Sequence, residues 1–233
     1  MNVFITGANR GLGLGLVDHY LKMGANIWAT CRNCQKANEL SSLQEAYPKN
    51  LKIMPLSVTA SDQIQQVSND LQKQEIRFDR FFNNAGIMGD DQQDIGTPEA
   101  FLQVLSTNTV APLFMAKAFL PCMQADSILI NMSSLLGSIT NVDQLISRGY
   151  AYPTSKAGLN MITKLLSRDF RPSRIAVVSI SPGWVKTDMG GDQAPLSVDQ
   201  SIPKVVEVVE SITQEDTGKF LHIEHQELDW WFR

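Results

Sequence analysis

The chain has 233 residues, 43% of them hydrophobic, with a formal net charge of -4 and a pI near 5.4. That composition is globular rather than disordered, and the length allows a sizeable core within a single α/β domain spanning residues 1–233. The acidic balance, free of runs of like charge, argues against nucleic acid and anionic membrane as partners, and no apolar run nears the ~20 residues of a membrane span.

In chain order, a strand is expected at Val3–Thr6 and a helix at Gly11–Met23. A strand at Asn26–Cys31 and a helix at Asn33–Ala46 follow, then a strand at Leu51–Leu56 and a helix at Ser61–Gln74. The next strand is Asp79–Asn83, and a long helix is expected over Ala100–Met123. Strand Ser127–Met132, helix Tyr152–Phe170, strand Ile175–Ser181, helix Pro203–Ile212 and a last strand at Lys219–Ile223 complete the series. Regular strand–helix alternation implies a parallel sheet covered on both faces. Runs such as SILINM and IAVVSI are apolar almost throughout, as strands buried on both faces require. The expected fold class is α/β, a Rossmann-type doubly wound parallel sheet with its ligand crevice at the carboxyl ends of the strands. The long connections 135–149 and 186–202 are read as functional or mobile loops.

The opening MNVFITG enters an apolar strand directly, so no secretory leader is expected. Cys31, Cys34 and Cys122 make an odd count that suits a reducing, cytoplasmic compartment. Cys31-Arg-Asn-Cys34 has the spacing of a redox or zinc motif, but no second Cys or His pair stands at metal-site distance. The pair is read as ordinary thiols, with no metal site.

TGANRGLG, Thr6–Gly13, falls between the first strand and the first helix. Gly7 permits a tight turn. Gly11 and Gly13 remove side chains where a pyrophosphate approaches the backbone and where the helix packs on the strand. The helix N-terminus supplies free N–H groups and a positive dipole end. The second strand ends at Arg32, with no acid at that point to hold a ribose 2′-hydroxyl. Arg32 and Arg10 suit the additional 2′-phosphate of NADP(H), which is therefore expected in preference to NAD(H).

Four more motifs fall at strand ends or on the helices between them: NNAG (Asn83–Gly86), STNTVAP with Asn108, NMSSLLGS with Ser133 and Ser134, and Tyr152-Pro-Thr-Ser-Lys156. SPGWVKTDM (Ser181–Met189) follows the sixth strand. Tyr152 and Lys156 are one helical turn apart, so they share a face. Pro153 is tolerated only in a first turn, which puts the start of the helix close to Tyr152.

Together, and in this order over nearly the whole chain, these motifs resemble the short-chain dehydrogenase/reductase family. ITGANRGLGLGLV, NMSSLLGSI, AYPTSKAGLNM and SPGWVKTDMGG look like its C-factor/sniffer-like carbonyl reductase branch. The resemblance implies a catalytic set of Asn108, Ser134, Tyr152 and Lys156. It implies cofactor contacts at Gly7, Asn9, Arg10, Gly11, Leu12, Gly13, Arg32, Ser57, Val58, Asn84, Ala85 and Gly86. Further contacts are implied at Tyr152, Lys156, Pro182, Gly183, Val185 and Thr187. Ser134 is chosen over Ser133 because the family serine begins the segment matching SLLG. The implied reaction is reduction of an aldehyde or ketone, with hydride from NADPH and a proton from Tyr152. The Lys156 ammonium is expected to draw the phenol below its usual pKa of ~10, and Ser134 to hydrogen-bond the carbonyl oxygen. In the family, the residue at Asn108's position supports a proton-relay water. A dinucleotide-binding sensor with little turnover is the alternative. The intact Tyr–Lys pair favours the enzyme.

Two departures stand out. Ser57 replaces the aspartate that the family uses to hold adenine, and the spacing of 18 between Ser134 and Tyr152 leaves extra residues around Thr140–Arg148 for a lid or pocket wall. Leu135, Ile139, Ile146, Trp184 and Met189 are read either as a hydrophobic substrate pocket or as ordinary loop packing. Trp230 and Trp231 in the tail ELDWWFR pack either on a partner or on their own core. A small-molecule carbonyl substrate and a homodimer or homotetramer are the expected partners.

Overall fold

Strands apolar on both faces must be covered from both sides, and the fold meets that demand with one sheet and two helical layers. A computed structural model describes residues 1–89, 96–141 and 149–230. The strands are β1 (Asn2–Ile5), β2 (Asn26–Cys31), β3 (Leu51–Pro55), β4 (Phe78–Asn83), β5 (Met123–Met132), β6 (Ala176–Ser181) and β7 (Phe220–His222). They pair in parallel in the order β3-β2-β1-β4-β5-β6-β7. After β3 the chain crosses to the other side of β1, so the crevice between β1 and β4 is the topological switch point.

Side-chain alternation along the strands divides the core in two. Val3, Ile5, Ile27, Ile128, Ile130, Val178 and Ile180 point to one face. There they meet Leu16, Val17 and Tyr20 of α1 (Gly11–Lys22), Leu40 of α2 (Asn38–Ala46), and Val205 and Val209 of α7 (Val198–Ser211). Phe4, Trp28, Phe81, Leu129 and Val177 point to the other. They meet Ile64 and Leu71 of α3 (Ser61–Lys73), Met115 and Phe119 of α5 (Ala111–Phe119), and Leu166 of α6 (Ala151–Asp169). Phe4 stacks on Phe81 at 4.7 Å between ring centroids, and Phe119 tilts against both.

Three expected helices differ in extent: the one expected at Asn33–Ala46 begins at Asn38, after the short turn Cys34–Lys36. The long one begins earlier, as α4 (Pro98–Leu105), because Thr97 caps it through a hydrogen bond from Ala100 N and Pro98 suits the first helical position. It then widens into a π turn over Ser106–Val110 before α5. Pro112 accounts for the break: it has no N–H to donate to the Asn108 carbonyl, as a continuous α-helix would require. Met123 belongs to β5 rather than to this helix. The last helix, α7, starts at Val198 rather than Pro203, behind a capping box of Ser197 and Gln200.

Phe81→Ala removes a ring with no solvent exposure from this aromatic cluster. It is expected to cost about 3–5 kcal/mol of stability, read as a lower urea midpoint at unchanged slope.

Candidate active site

Six loops and helix ends meet above the carboxyl edge of the sheet. The turn after β1 is locked in place from below. Thr6 Oγ1 accepts hydrogen bonds from Asn84 N at 2.9 Å and Ala85 N at 3.0 Å. Asn84 Nδ2 donates to the carbonyls of Thr6 (2.9 Å) and Gly7 (3.1 Å). Gly7 has φ +64°, and a Cβ there would stand 2.8 Å from Ala85 Cα. A Cβ on Gly13 would collide with the Gly7 carbonyl oxygen and the Asn84 amide. Both glycines are thus required by backbone contact alone. Arg10 does not point to the second strand: its guanidinium lies 2.5 Å from Asp188, in the loop after β6.

Tyr152 and Lys156 stand in the first turns of α6. Lys156 is only 5% exposed and donates to the Met132 carbonyl at 2.7 Å. Its ammonium is 5.4 Å from the centroid of the Tyr152 ring. Asn108 sits in the π turn, buried. Its Oδ1 accepts from Ile87 N at 2.9 Å, and its Nδ2 donates to the Ile87 carbonyl (2.8 Å) and Ser155 Oγ (3.0 Å). Ser155 in turn donates to the Tyr152 carbonyl at 2.7 Å. The asparagine side chain therefore joins the β4 loop to the first turn of α6. The two candidate serines separate cleanly. Ser133 is buried and donates to Asn160 Oδ1 at 2.7 Å, whereas Ser134 accepts from Leu136 N at 3.2 Å and opposes the rise of the Tyr152 phenol's pKa.

The electrostatics depart from expectation. Burial pushes the Tyr152 phenol up to about 12, against the opposing pull of the Ser134 hydrogen bond. Burial pushes Lys156 down to about 8. In a dry site the loss of hydration disfavours both charged forms, and this outweighs the lowering expected from an ammonium one helical turn away.

A cavity of about 510 Å³ runs from Tyr152 and Lys156, past the glycine turn, to Arg32 and Lys36. Residues 1–195 match the family profile of the short chain dehydrogenases. The chain belongs to that family. NADPH-bound carbonyl reductase from chicken fatty liver shares 35% identity with it at a TM-score of 0.91, covering 98% of both chains. The carbonyl reductase Sniffer of D. melanogaster shares 37% at a TM-score of 0.89, over 98% of this chain and 99% of the other. The short chain dehydrogenase gsfK of Penicillium aethiopicum is 32% identical over 250 aligned residues, 98% of each chain. The carbonyl reductases are the branch expected from the motifs.

In this short-chain dehydrogenase the cavity wall includes Gly7, Asn9, Arg10, Gly11, Leu12, Gly13, Arg32, Ser57, Val58, Asn84, Ala85, Gly86, Tyr152, Lys156, Pro182 and Thr187. Gly183, Val185, Asn108 and Ser134 stand outside that lining. Val185 is buried and pairs with Leu196. Gly86 touches the catalytic end, since a Cβ there would lie 3.3 Å from Asn108 Oδ1 and 3.8 Å from Lys156 Nζ. Ser57 faces the Thr59 hydroxyl at 3.2 Å, and its N–H donates to Gln63. Sequence reasoning missed Lys36, a second cation at the Arg32 end. Its signal was a short turn after β2, capped by Asn33, that the expected helix Asn33–Ala46 concealed.

Ile139, Trp184 and Met189 are exposed around the mouth, and Met189 lines the cavity. Ile146 and Trp231 lie outside the described residues, as does most of the extra segment after Ser134. Trp230 packs on its own chain: its ring is 5.3 Å from Phe220, and its carbonyl accepts from Ile139 N. With Ser138 Oγ donating to the Asp229 carbonyl, the tail holds the loop that carries Ser134.

The burial of Lys156 has a measurable sign. Between about pH 8 and the ordinary lysine value of 10.5, the unfolded chain binds a proton that the folded chain has released. Stability from this group therefore rises over that window. Relative to Lys156→Met, the wild type is expected to gain up to about 3 kcal/mol between those pH values. Urea unfolding of both proteins across the series reads the difference. The opposite contribution of Tyr152, raised from 10 to about 12, sets in near pH 10, overlaps the top of that window and is present in both proteins.

Proposed function

We propose that the protein is an NADPH-dependent carbonyl reductase that reduces an aldehyde or ketone to an alcohol. The observation that carries this reading is one continuous cavity with Tyr152 and Lys156 at one end and the Arg32–Lys36 cations at the other. The glycine turn fits a pyrophosphate, since Gly7 and Gly13 leave the backbone no room for a side chain and α1 presents its N-terminus beside them. Arg32 and Lys36 suit a 2′-phosphate. The chicken carbonyl reductase, with 35% identity, has NADPH bound.

NADPH, when bound, supplies the hydride. The rest of the reaction belongs to the chain. Ser134, whose hydroxyl acts on the Tyr152 phenol, joins it in hydrogen-bonding the carbonyl oxygen. Burial keeps Tyr152 protonated at neutral pH, the form that donates to the nascent alkoxide. Lys156 stabilises the tyrosinate that results. Asn108 and Ser155 fix the first turn of α6 from which both groups project. Gly183, Val185 and Thr187 complete the proposed cofactor contacts, with Thr187 Cγ2 3.3 Å from where a Gly11 Cβ would lie. Exposed Trp184 and Met189 favour an apolar substrate. Exposed Leu102, Phe114, Met161 and Leu165 on α4, α5 and α6 support a homo-oligomer. A cytoplasmic location and a single domain over residues 1–233 complete the reading.

Consumption of NADPH against a panel of aldehydes, ketones and diketones tests it. Tyr152→Phe is expected to lose about 10²–10⁴-fold in kcat with NADPH binding retained. Turnover that survives in this variant would sink the mechanism. In the wild type, kcat/KM for reduction is expected to hold below about pH 8 and to fall above it, as Lys156 loses its charge. Arg32→Asp is expected to shift the NADPH-over-NADH preference by about 10–100-fold toward NADH, measured as the ratio of the two kcat/KM values.

A further inference from the structure

We propose that Cys31 and Cys34 are a peroxide-sensitive thiol pair whose disulfide weakens NADP(H) binding at the Arg32 end of the cavity. Cys31 is the last residue of β2, and Cys34 opens the short turn Cys34–Lys36. Their sulfurs are 3.3 Å apart, with the Cys31 thiol donating toward Cys34. Both are free thiols. Cys31 lines the cavity and is 3% exposed, while Cys34 is only partly covered. A metal is the other use of this spacing, but no group of three or more potential ligands occurs among the described residues.

The geometry assigns distinct roles. Cys34, only partly covered, is the thiol that a peroxide can reach. Its sulfur attacks one peroxide oxygen. An S–O bond forms, the O–O bond breaks, and the departing hydroxide takes a proton to become water. Cys31, beside it at 3.3 Å, gives up its proton to the departing hydroxyl as its sulfur attacks the sulfur of the Cys34 sulfenic acid. The S–S bond forms, the S–O bond breaks, and the leaving hydroxide takes the Cys31 proton as a second water. Two electrons pass from the thiols to the peroxide, and a dithiol reductant reverses the change. Transient, redox-sensing disulfides are the kind found in reducing compartments.

Closing the bond draws the sulfurs together by about 1.3 Å. Only Arg32 and Asn33 lie between them, and Asn33 Oδ1 accepts the Gln35 N–H that shapes the turn. Arg32, Asn33 and Lys36 all line the cavity. Contraction of this four-residue loop therefore moves the cations proposed for the 2′-phosphate, while Tyr152 and Lys156 are untouched. The second half of the proposal rests on the NADP(H) site proposed above.

The test treats reduced protein with a small excess of hydrogen peroxide, traps remaining thiols by alkylation and digests with trypsin. Cleavage after Arg32 separates the two cysteines, so their disulfide appears as a cross-linked peptide pair lighter by two hydrogens. NADPH binding is titrated on oxidised, reduced and re-reduced protein by its fluorescence. The expected result is the linked pair, Cys122 still a thiol, and about tenfold weaker NADPH binding that a dithiol restores. Cys34→Ser, outside the cavity lining, is expected to bind NADPH normally with and without peroxide. Oxidation to sulfinic acid without the linked pair overturns the proposal, as does a linked protein that binds NADPH as tightly as the reduced one. Failure of reduced protein to bind NADPH overturns the functional reading, and the coupling with it. Peptide mass alone then decides whether the disulfide forms.

Discussion

The contact of Gly7 with Ala85 is the constraint on which the carboxyl edge of the sheet depends. Two loops that belong to strands on either side of the switch point meet there with backbone against backbone, where a Cβ would come within 2.8 Å. Thr6 and Asn84 fasten the same junction by four hydrogen bonds, so neither loop can shift without the other. The glycine turn is consequently a rigid surface before any ligand arrives. That is the condition under which N–H groups at a helix start bind phosphate without an ordering cost. At the far end of the cavity the same rigidity is passed on through Gly86, which borders Asn108 and Lys156.

Burial then sets the chemistry. The Tyr152 phenol is kept neutral, and Lys156 is held just within the range where it is charged at neutral pH. A neutral acid beside a cation suits protonation of a substrate oxygen better than abstraction of a proton from an alcohol. The Arg10–Asp188 pair acts differently. Both side chains are largely exposed, 63% and 73%, so the contact is worth little in stability and exchanges readily. It links the glycine turn to the loop bearing Thr187 and Met189.

Much of this was legible in the sequence, for identifiable reasons. Strand positions followed from apolar runs, and the glycine turn and the Tyr–Lys pair from spacings that backbone geometry imposes. What escaped were features set by single residues against a broader pattern. Ser106–Val110 is polar but for Val110 and lies between two apolar helical stretches, so periodicity could not reveal the π turn, although Pro112 is its cause. Pro203 masked the true start of α7, while the Ser197–Gln200 box that caps it lay upstream in a stretch without periodicity. The protonation of Tyr152 was misjudged because charge proximity can be read from a sequence and desolvation cannot. Lys36 was hidden for a related reason: whether a residue after β2 faces solvent or a cavity depends on one short turn.

α6 shows why Tyr152 and Lys156 stay in register. An ordinary helix buries an apolar stripe, but this one buries Ser155, Lys156, Asn160, Thr163 and Ser167 along its inner side. Each has a partner. Asn160 takes the Ser133 hydroxyl and donates to the Gly137 carbonyl. Thr163 accepts from Asn131, which accepts from Asn83, and it shares a hydrogen bond with Ser179. An apolar interface tolerates sliding and repacking at modest cost. A buried polar one does not, because a shift of one residue would leave several groups unpaired at about 1–3 kcal/mol each. Gly137 adds a steric stop, since a Cβ there would meet the Lys156 backbone at 2.8 Å. The helix is thus fixed in rotation and translation by directional bonds to β5, β6 and the Ser133–Gly137 loop, and those bonds hold Tyr152 and Lys156 in place beside that loop.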